Sequence, residues 1–181
     1  YENGERLEYS YSADGRMATA ASYDSEGKTK EVIQLEFNEQ RLLSSIAHAN
    51  GRKISYTYDE RGFRQSMSAG GRTVKYAYDK LGRLAQVLEG EEELLLASYA
   101  YDAAGNQVGT TLGNGDRILN VYDAEGHVKS ITAYNADEEI TSQIQYTWDL
   151  GLMKTQTLAE GQWSYEYDVM GQLVQAEFYS Y

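Results

Sequence analysis

The motif Tyr-x-Tyr-Asp-x-x-Gly occurs whole four times, at residues 56–62, 76–82, 99–105 and 165–171. A tandem array of this kind has to be recognised before chain length is used to count domains. The full copies contribute Tyr56, Tyr58, Asp59 and Gly62; Tyr76, Tyr78, Asp79 and Gly82; Tyr99, Tyr101, Asp102 and Gly105; and Tyr165, Tyr167, Asp168 and Gly171. Degenerate copies lie at residues 9–15, at Phe37-Asn38 with no Gly at the expected place, at 121–126 (Tyr122, Asp123, Gly126) and at 146–151 (Tyr146, Trp148, Asp149). The second aromatic recurs at 11, 37, 58, 78, 101, 122, 148 and 167, a period of about 20 residues.

Each period carries two turn signals, so each is two strands. In Asp-x-x-Gly the carboxylate accepts backbone N–H groups two residues on and Gly supplies a positive φ, the chemistry of a type I turn with a Gly bulge. The other end is marked by Asn50-Gly51, Gly70-Gly71, Asn114-Gly115 and Glu160-Gly161, with Asn-Gly the strongest two-residue hairpin signal. Longer hairpins around residues 24–27 and 134–139 account for the two 26-residue spacings and are expected to protrude. No segment sustains a 3.6-residue apolar period between the Gly breaks. The fold class is therefore all-β: tandem antiparallel hairpins in a single curved, spiralling sheet.

Alternation assigns the faces, because residues i, i+2 and i+4 of a strand share one side. Rows such as Ile54/Tyr56/Tyr58, Val74/Tyr76/Tyr78, Ile144/Tyr146/Trp148 and Trp163/Tyr165/Tyr167 form an aromatic ladder. Ile118/Asn120/Tyr122 has one odd member, Asn120. The intervening Ser55, Thr57, Lys75, Ser164 and Glu166 are expected to face water. Tyr outnumbers the other aromatics, 17 against 3 Phe and 2 Trp, which suits a ladder with a polar handle. With neither Pro nor Cys, no disulfide is available and turns fall to Gly, Asn and Asp.

The motif from Gly71 to Leu84, Gly-x-x-x-x-Tyr-x-Tyr-Asp-x-x-Gly-Arg-Leu, closely resembles the Rhs/YD-repeat consensus, and the resemblance runs from Tyr9 through Val174. That family includes bacterial Rhs polymorphic toxins, wall-associated repeat proteins, the BC component of insecticidal toxin complexes and animal teneurins. It winds such hairpins into a spiralling β-shell, which in the bacterial toxins encloses a C-terminal toxic domain. The resemblance implies a non-catalytic shell segment of a large secreted or surface protein, partnered by the rest of the shell and its cargo. No self-cleaving core, Pro-containing plug or toxin domain is recognisable, and Tyr1 already sits inside the pattern. Residues 1–181 are thus expected to be one array of about eight repeats without a catalytic domain.

The remaining constellations are weak. A formal charge of −12 repels phosphate backbones and anionic lipids, and no apolar run reaches the length of a membrane span. His48 and His127 are far apart and, without Cys, offer no zinc spacing. Glu91-Glu92-Glu93 and Asp137-Glu138-Glu139 could supply a glycosidase carboxylate pair but fall near hairpin ends, where solvated charge is expected. Asp59, Asp79, Asp102, Asp123, Asp149 and Asp168 each stand alone before Gly, as turn caps and not as a calcium loop. No catalytic residue, metal ligand or cofactor is assigned. The aromatic stripe offers an alternative function, carbohydrate or protein binding, with Trp148 and Trp163 as candidate stacking platforms. An open sheet also leaves two unpaired edges, so self-association is expected, stronger as salt screens the charge.

Overall fold

The strand pattern read from the alternation is present along the chain. In the computed structural model, which describes residues 5–181, sixteen strands follow one another in chain order within one antiparallel sheet. Tyr1 lies outside the described residues. The chain divides into two units at Leu94/Leu95. The first holds β1 (Arg6–Tyr11), β2 (Met17–Tyr23), β3 (Thr29–Phe37), β4 (Leu43–His48), β5 (Lys53–Tyr58), β6 (Arg64–Ala69), β7 (Arg72–Tyr78) and β8 (Leu84–Glu89). The second holds β9 (Leu94–Tyr101), β10 (Gln107–Leu112), β11 (Arg117–Tyr122), β12 (Val128–Tyr134), β13 (Ile140–Asp149), β14 (Leu152–Leu158), β15 (Gly161–Tyr167) and β16 (Leu173–Ser180).

One turn design closes most of the hairpins. At Asp59 the backbone N–H bonds the carbonyl of Phe63, and Gly62 N–H returns to Asp59 O. Asp59 Oδ1 meanwhile accepts from the N–H groups of Arg61 and Phe63. Gly62 supplies the positive φ, and the ladder slips by a residue between Thr57 and Tyr58, the bulge expected of this turn. The same pattern recurs at Asp79, Asp102, Asp123 and Asp168.

Several turns depart from the sequence reading. Asn50-Gly51 and Asn114-Gly115 are not two-residue hairpins. They occupy the last two places of the bulged turn, where Asn Oδ1 accepts the N–H of Arg52 or Asp116 and only Gly takes positive φ. Gly70-Gly71 does make the two-residue turn, with Ala69 opposite Arg72 and both φ values positive. Gly161 lies within β15, outside its turn; its need is close approach, since a Cβ there would sit 2.3 Å from Tyr179 O. Asp149 caps nothing. Its motif is one residue short, so Leu150 (φ 50°) and Gly151 (φ 78°) form a two-residue turn between the paired Asp149 and Leu152.

The two 26-residue spacings lengthen strands and not loops. Asp24 to Lys28 and Asn135 to Glu139 close with the ordinary turn, while β3 and β13 run to nine and ten residues. The Phe37-Asn38 copy is also complete: Asn38 caps in place of Asp, and Arg41 takes the left-handed place of Gly at φ 61°.

The packing is shallow. Among the described residues the buried positions are small ones, including Ala18, Ala21, Ala97, Ser45, Thr110 and Thr132, and no large side chain is fully buried. Ladder residues such as Tyr56, Tyr58, Tyr76 and Tyr78 are partly buried, about two-thirds or more out of water, so each contributes roughly 3 kcal/mol of apolar burial. The opposite face is not uniformly wet. Ser45, at 3% exposure, is shaded by Glu36, whose carboxylate accepts its hydroxyl at 2.7 Å and lies 3.7 Å from Lys53. Hydroxyl pairs Thr57–Ser66, Ser68–Thr73 and Thr147–Thr155 line the same face at 2.7–2.8 Å.

Candidate functional site

The feature built most consistently is a clasp between neighbouring hairpins, made by the second aromatic of the motif. Tyr58 Oη donates to Leu43 O at 2.7 Å, Tyr78 Oη to Arg64 O at 2.9 Å, and Tyr122 Oη to Gln107 O at 3.0 Å. Trp148 does the same with Nε1, to Val128 O at 2.7 Å. In all four cases the acceptor is the first residue of the preceding strand, just past the previous turn. A Phe ring could fill the same space but could not donate, which gives a physical reason for Tyr in the array. Asn120 is explained here too: its Nδ2 donates at 2.8 Å to the same Gln107 carbonyl that accepts Tyr122.

The turns stack by a second device that the sequence reading missed. At four places the residue after one turn's left-handed position lies against the turn Gly of the next repeat, whereas a Cβ at Gly105 or Gly126 would meet nothing within 4 Å. A Cβ at Gly62 would meet Leu42 at 3.6 Å, one at Gly151 would meet His127 at 3.8 Å, and one at Gly171 would meet Leu152 at 3.9 Å. At Gly82 the approach is closest, with Phe63 Cζ at 2.8 Å. Phe63 is itself stacked on Tyr78 at 5.0 Å, with the Arg61 guanidinium 4.7 Å away. His127 stacks likewise on Trp148 at 5.0 Å. An apolar or flat residue just after the turn, following Gly at Phe63, His127 and Leu152 and Arg41 at Leu42, was the available signal.

Trp148 therefore serves as a clasp, its ring covered by His127 and tilted against Tyr146. Trp163 is half-buried between Tyr165 and Phe178, with centroids 6.5 and 5.2 Å away. The two histidines are half-buried and paired, not exposed: His48 Nδ1 lies 2.8 Å from Glu31, and His127 Nδ1 lies 3.1 Å from Asp123. Asp123, Glu125 and His127 bring ligand atoms within 4.8 Å of one another, but Asp123 already spends Oδ1 on the backbone of Glu125 and His127 and Oδ2 on the His127 ring. In the acidic clusters, Glu93 pairs with Lys75, Glu138 with Arg117, and Glu139 accepts from Asn135, while Glu91 and Glu92 are exposed. Among the described residues, these pairings join the cluster carboxylates to Lys75, Arg117 and Asn135 and not to one another.

The turn carboxylates give a pH signature. The Arg83 backbone N–H, opposed by partial desolvation and helped by the Arg83 guanidinium, holds the Asp79 carboxyl below its ordinary value. The Asn106 side chain does the same for Asp102. A carboxyl depressed in the folded state stabilises fully above its unfolded value, about 3.9, and that stabilisation is lost as pH falls through the folded value. The unfolding midpoint should be flat above about pH 5 and fall below about pH 4. Asp79→Asn should keep the cap, as Asn38 and Asn135 do, and show a smaller acid loss when denaturant midpoints are compared across pH. An unchanged acid profile in Asp79→Asn would remove Asp79 from the account.

Comparison with known proteins agrees with this construction. Residues 1–178 match the teneurin YD-shell family. A curated relative, the tRNA3(Ser)-specific nuclease WapA of Bacillus spizizenii, is 27% identical over 174 residues, covering 96% of this chain but only 7% of that protein. Among solved structures, TcdB2-TccC3-TEV shares the fold with a TM-score of 0.71 at 16% identity, over 96% of this chain and 12% of that one. The Photorhabdus luminescens Tc holotoxin pore gives 0.68 at 16% identity, over 96% and 10%. The chain thus spans a small part of the proteins it matches. A period of about 20 residues, bulged Asp-x-x-Gly turns and a clasp carried by the second aromatic accompany a family match over almost the whole length: the chain belongs to the teneurin YD-shell family, of the Rhs/YD-repeat type.

Proposed function

We propose that the chain is a non-catalytic wall segment of a larger secreted or surface protein, forming part of a β-shell that encloses or presents a toxin or effector domain. The observation that carries this reading is the clasp. It spends the motif's polar aromatic groups on joining one hairpin to the next, which is what a wall requires and what a binding cleft would not. The hydroxyl pairs of the opposite face support it, since they satisfy one another and leave few polar groups aimed at a ligand. The whole array, residues 1–181, then acts as a single structural stretch, with no cofactor and no catalytic residue of its own.

The test uses the whole protein that contains this segment. If the segment is wall, Tyr58→Ala with Tyr78→Ala should open it and let protease reach the enclosed domain, while the same substitutions leave that domain's isolated activity intact. Equal protection in both forms would overturn the reading. So would glycan-array binding abolished by Trp163→Ala with folding unchanged, which would favour a carbohydrate-binding module instead.

A further inference from the structure

Two turns of one design carry Asn before their left-handed Gly, and they differ in how firmly they hold it. Asn50-Gly51 joins β4 to β5 and Asn114-Gly115 joins β10 to β11, with Gly51 N–H donating to His48 O at 3.0 Å and Gly115 N–H to Leu112 O at 2.9 Å. Both carboxamides accept at Oδ1 from the main-chain N–H two residues on, at 3.0 and 3.1 Å. Asn114 is held at its other end as well, its Nδ2 donating to Asp116 Oδ2 at 2.9 Å, whereas Asn50 Nδ2 makes no hydrogen bond among the described residues. A third pair, Asn3-Gly4, lies outside the described residues.

The surroundings differ in the same sense. A Cβ at Gly115 would meet Ala136 at 3.0 Å, so that turn is packed against its neighbour, while one at Gly51 would meet nothing within 4 Å. Asn50, Gly51 and Arg52 line a surface cavity of about 870 Å³, with Ala69 and Gly70 across it, which gives water room beside the Asn50 turn. The residue after Gly is a cation in one turn, Arg52, and an anion in the other, Asp116. From these differences we propose that Asn50 is a site of spontaneous covalent modification, converting to aspartate and isoaspartate while Asn114 is protected.

Asn is among the chemically labile side chains, and Gly after it leaves the main-chain nitrogen unshielded. The Gly51 nitrogen gives up its proton and attacks Asn50 Cγ; the N–Cγ bond forms, the Cγ–Nδ2 bond breaks, and the departing nitrogen takes up the proton and leaves as ammonia. Water then opens the cyclic imide. Opening at Cγ yields aspartate, and opening at the main-chain carbon yields isoaspartate, in which the chain runs through the former side chain. Negative charge gathers at the attacking nitrogen, so Arg52 favours the step at Asn50 and Asp116 opposes it at Asn114. The aspartate product fits a turn already present in the molecule: in Asp14-Gly15-Arg16, Asp14 Oδ1 accepts the Arg16 N–H at 3.1 Å and Gly15 N–H donates to Ser12 O at 2.9 Å. The isoaspartate product lengthens the main chain between His48 and Arg52, whose bond from His48 N–H to Arg52 O at 2.9 Å closes the β4–β5 hairpin.

This goes beyond the wall function, and its test does not depend on any cargo. The folded chain is incubated at mildly alkaline pH and sampled over time by cleavage after Arg and Lys, which places Asn3, Asn50 and Asn114 in separate peptides. The mass gain of amide-to-acid conversion is read in each. Asn50 should convert at least about fivefold faster than Asn114, the worth of the one extra hydrogen bond that Asn114 makes. In guanidinium chloride, which unfolds the chain and screens its charges, the two rates should come within about twofold of each other. Asp116→Arg removes both the tether and the anion, and should raise the Asn114 rate in the folded chain by about fivefold or more. Conversion at Asn114 as fast as at Asn50 in the folded chain would overturn the proposal, as would an Asn50 that does not convert. So would a preference that survives unfolding undiminished, or an Asn114 that stays slow in Asp116→Arg.

Discussion

Gly82→Val is expected to lower the stability of the folded chain by about 2–5 kcal/mol, with backbone strain and a steric contact contributing comparable parts. Gly82 and Gly62 have nearly the same backbone, with φ of 82° and 83°. A β-branched residue meets the same conformational penalty at either place, about 1–3 kcal/mol. The surroundings differ. A Cβ at Gly62 finds Leu42 at an ordinary 3.6 Å, whereas at Gly82 it runs into Phe63 at 2.8 and 3.1 Å. Phe63 cannot simply swing away, because its ring is stacked on Tyr78 on one side and on the Arg61 guanidinium on another. Gly62→Val is therefore the internal control, and denaturant unfolding of the two variants separates the terms. Combining Gly82→Val with Phe63→Leu should recover part of the loss. If Gly62→Val and Gly82→Val unfold at the same denaturant concentration, the stacking of turn upon turn contributes nothing.

Tyr78→Ala should cost about 2–4 kcal/mol, and Lys75→Ala, on the opposite face of the same strand, under about 0.5. Three losses combine at Tyr78: partly buried aromatic area, the stack on Phe63, and the 2.9 Å bond to Arg64 O. Lys75 makes only an exposed ion pair with Glu93. Tyr78→Phe divides the first set, since it keeps the ring and removes the donor; it should cost about 1 kcal/mol. Equal destabilisation by Tyr78→Ala and Lys75→Ala would show that the aromatic face does not carry the packing.

The parts of this architecture that were legible in the sequence are those whose cause is local. Asp59 binds N–H groups two and four residues on, and the Tyr rows alternate with period two, so both can be read from spacing alone. The misreadings have equally definite causes. Asn50-Gly51 looks like a two-residue turn, but the bulged turn also accepts Asn before Gly, and sequence does not say where the turn begins. Arg41 hides a complete turn because Asn38 supplies the cap and the left-handed residue need not be Gly. Asp149 fails as a cap because one missing residue changes the turn type. The clasp was illegible for another reason. Its acceptor is a main-chain carbonyl, which has no side chain to mark it, 14 to 20 residues before the donor.

Every strand of this sheet pairs only with the strands immediately before and after it in the chain. No pairing waits for a distant segment, so the entropy of closing each loop is set by a turn of a few residues and not by the length of the array. Such a chain can become ordered hairpin by hairpin as it leaves the ribosome, each new strand finding its template already in place. The clasp sharpens this directionality, because its acceptor belongs to the earlier hairpin and its donor to the later one. A newly made hairpin docks backwards onto finished structure, and the exposed edge that invites misassembly is confined at each moment to the most recent strand.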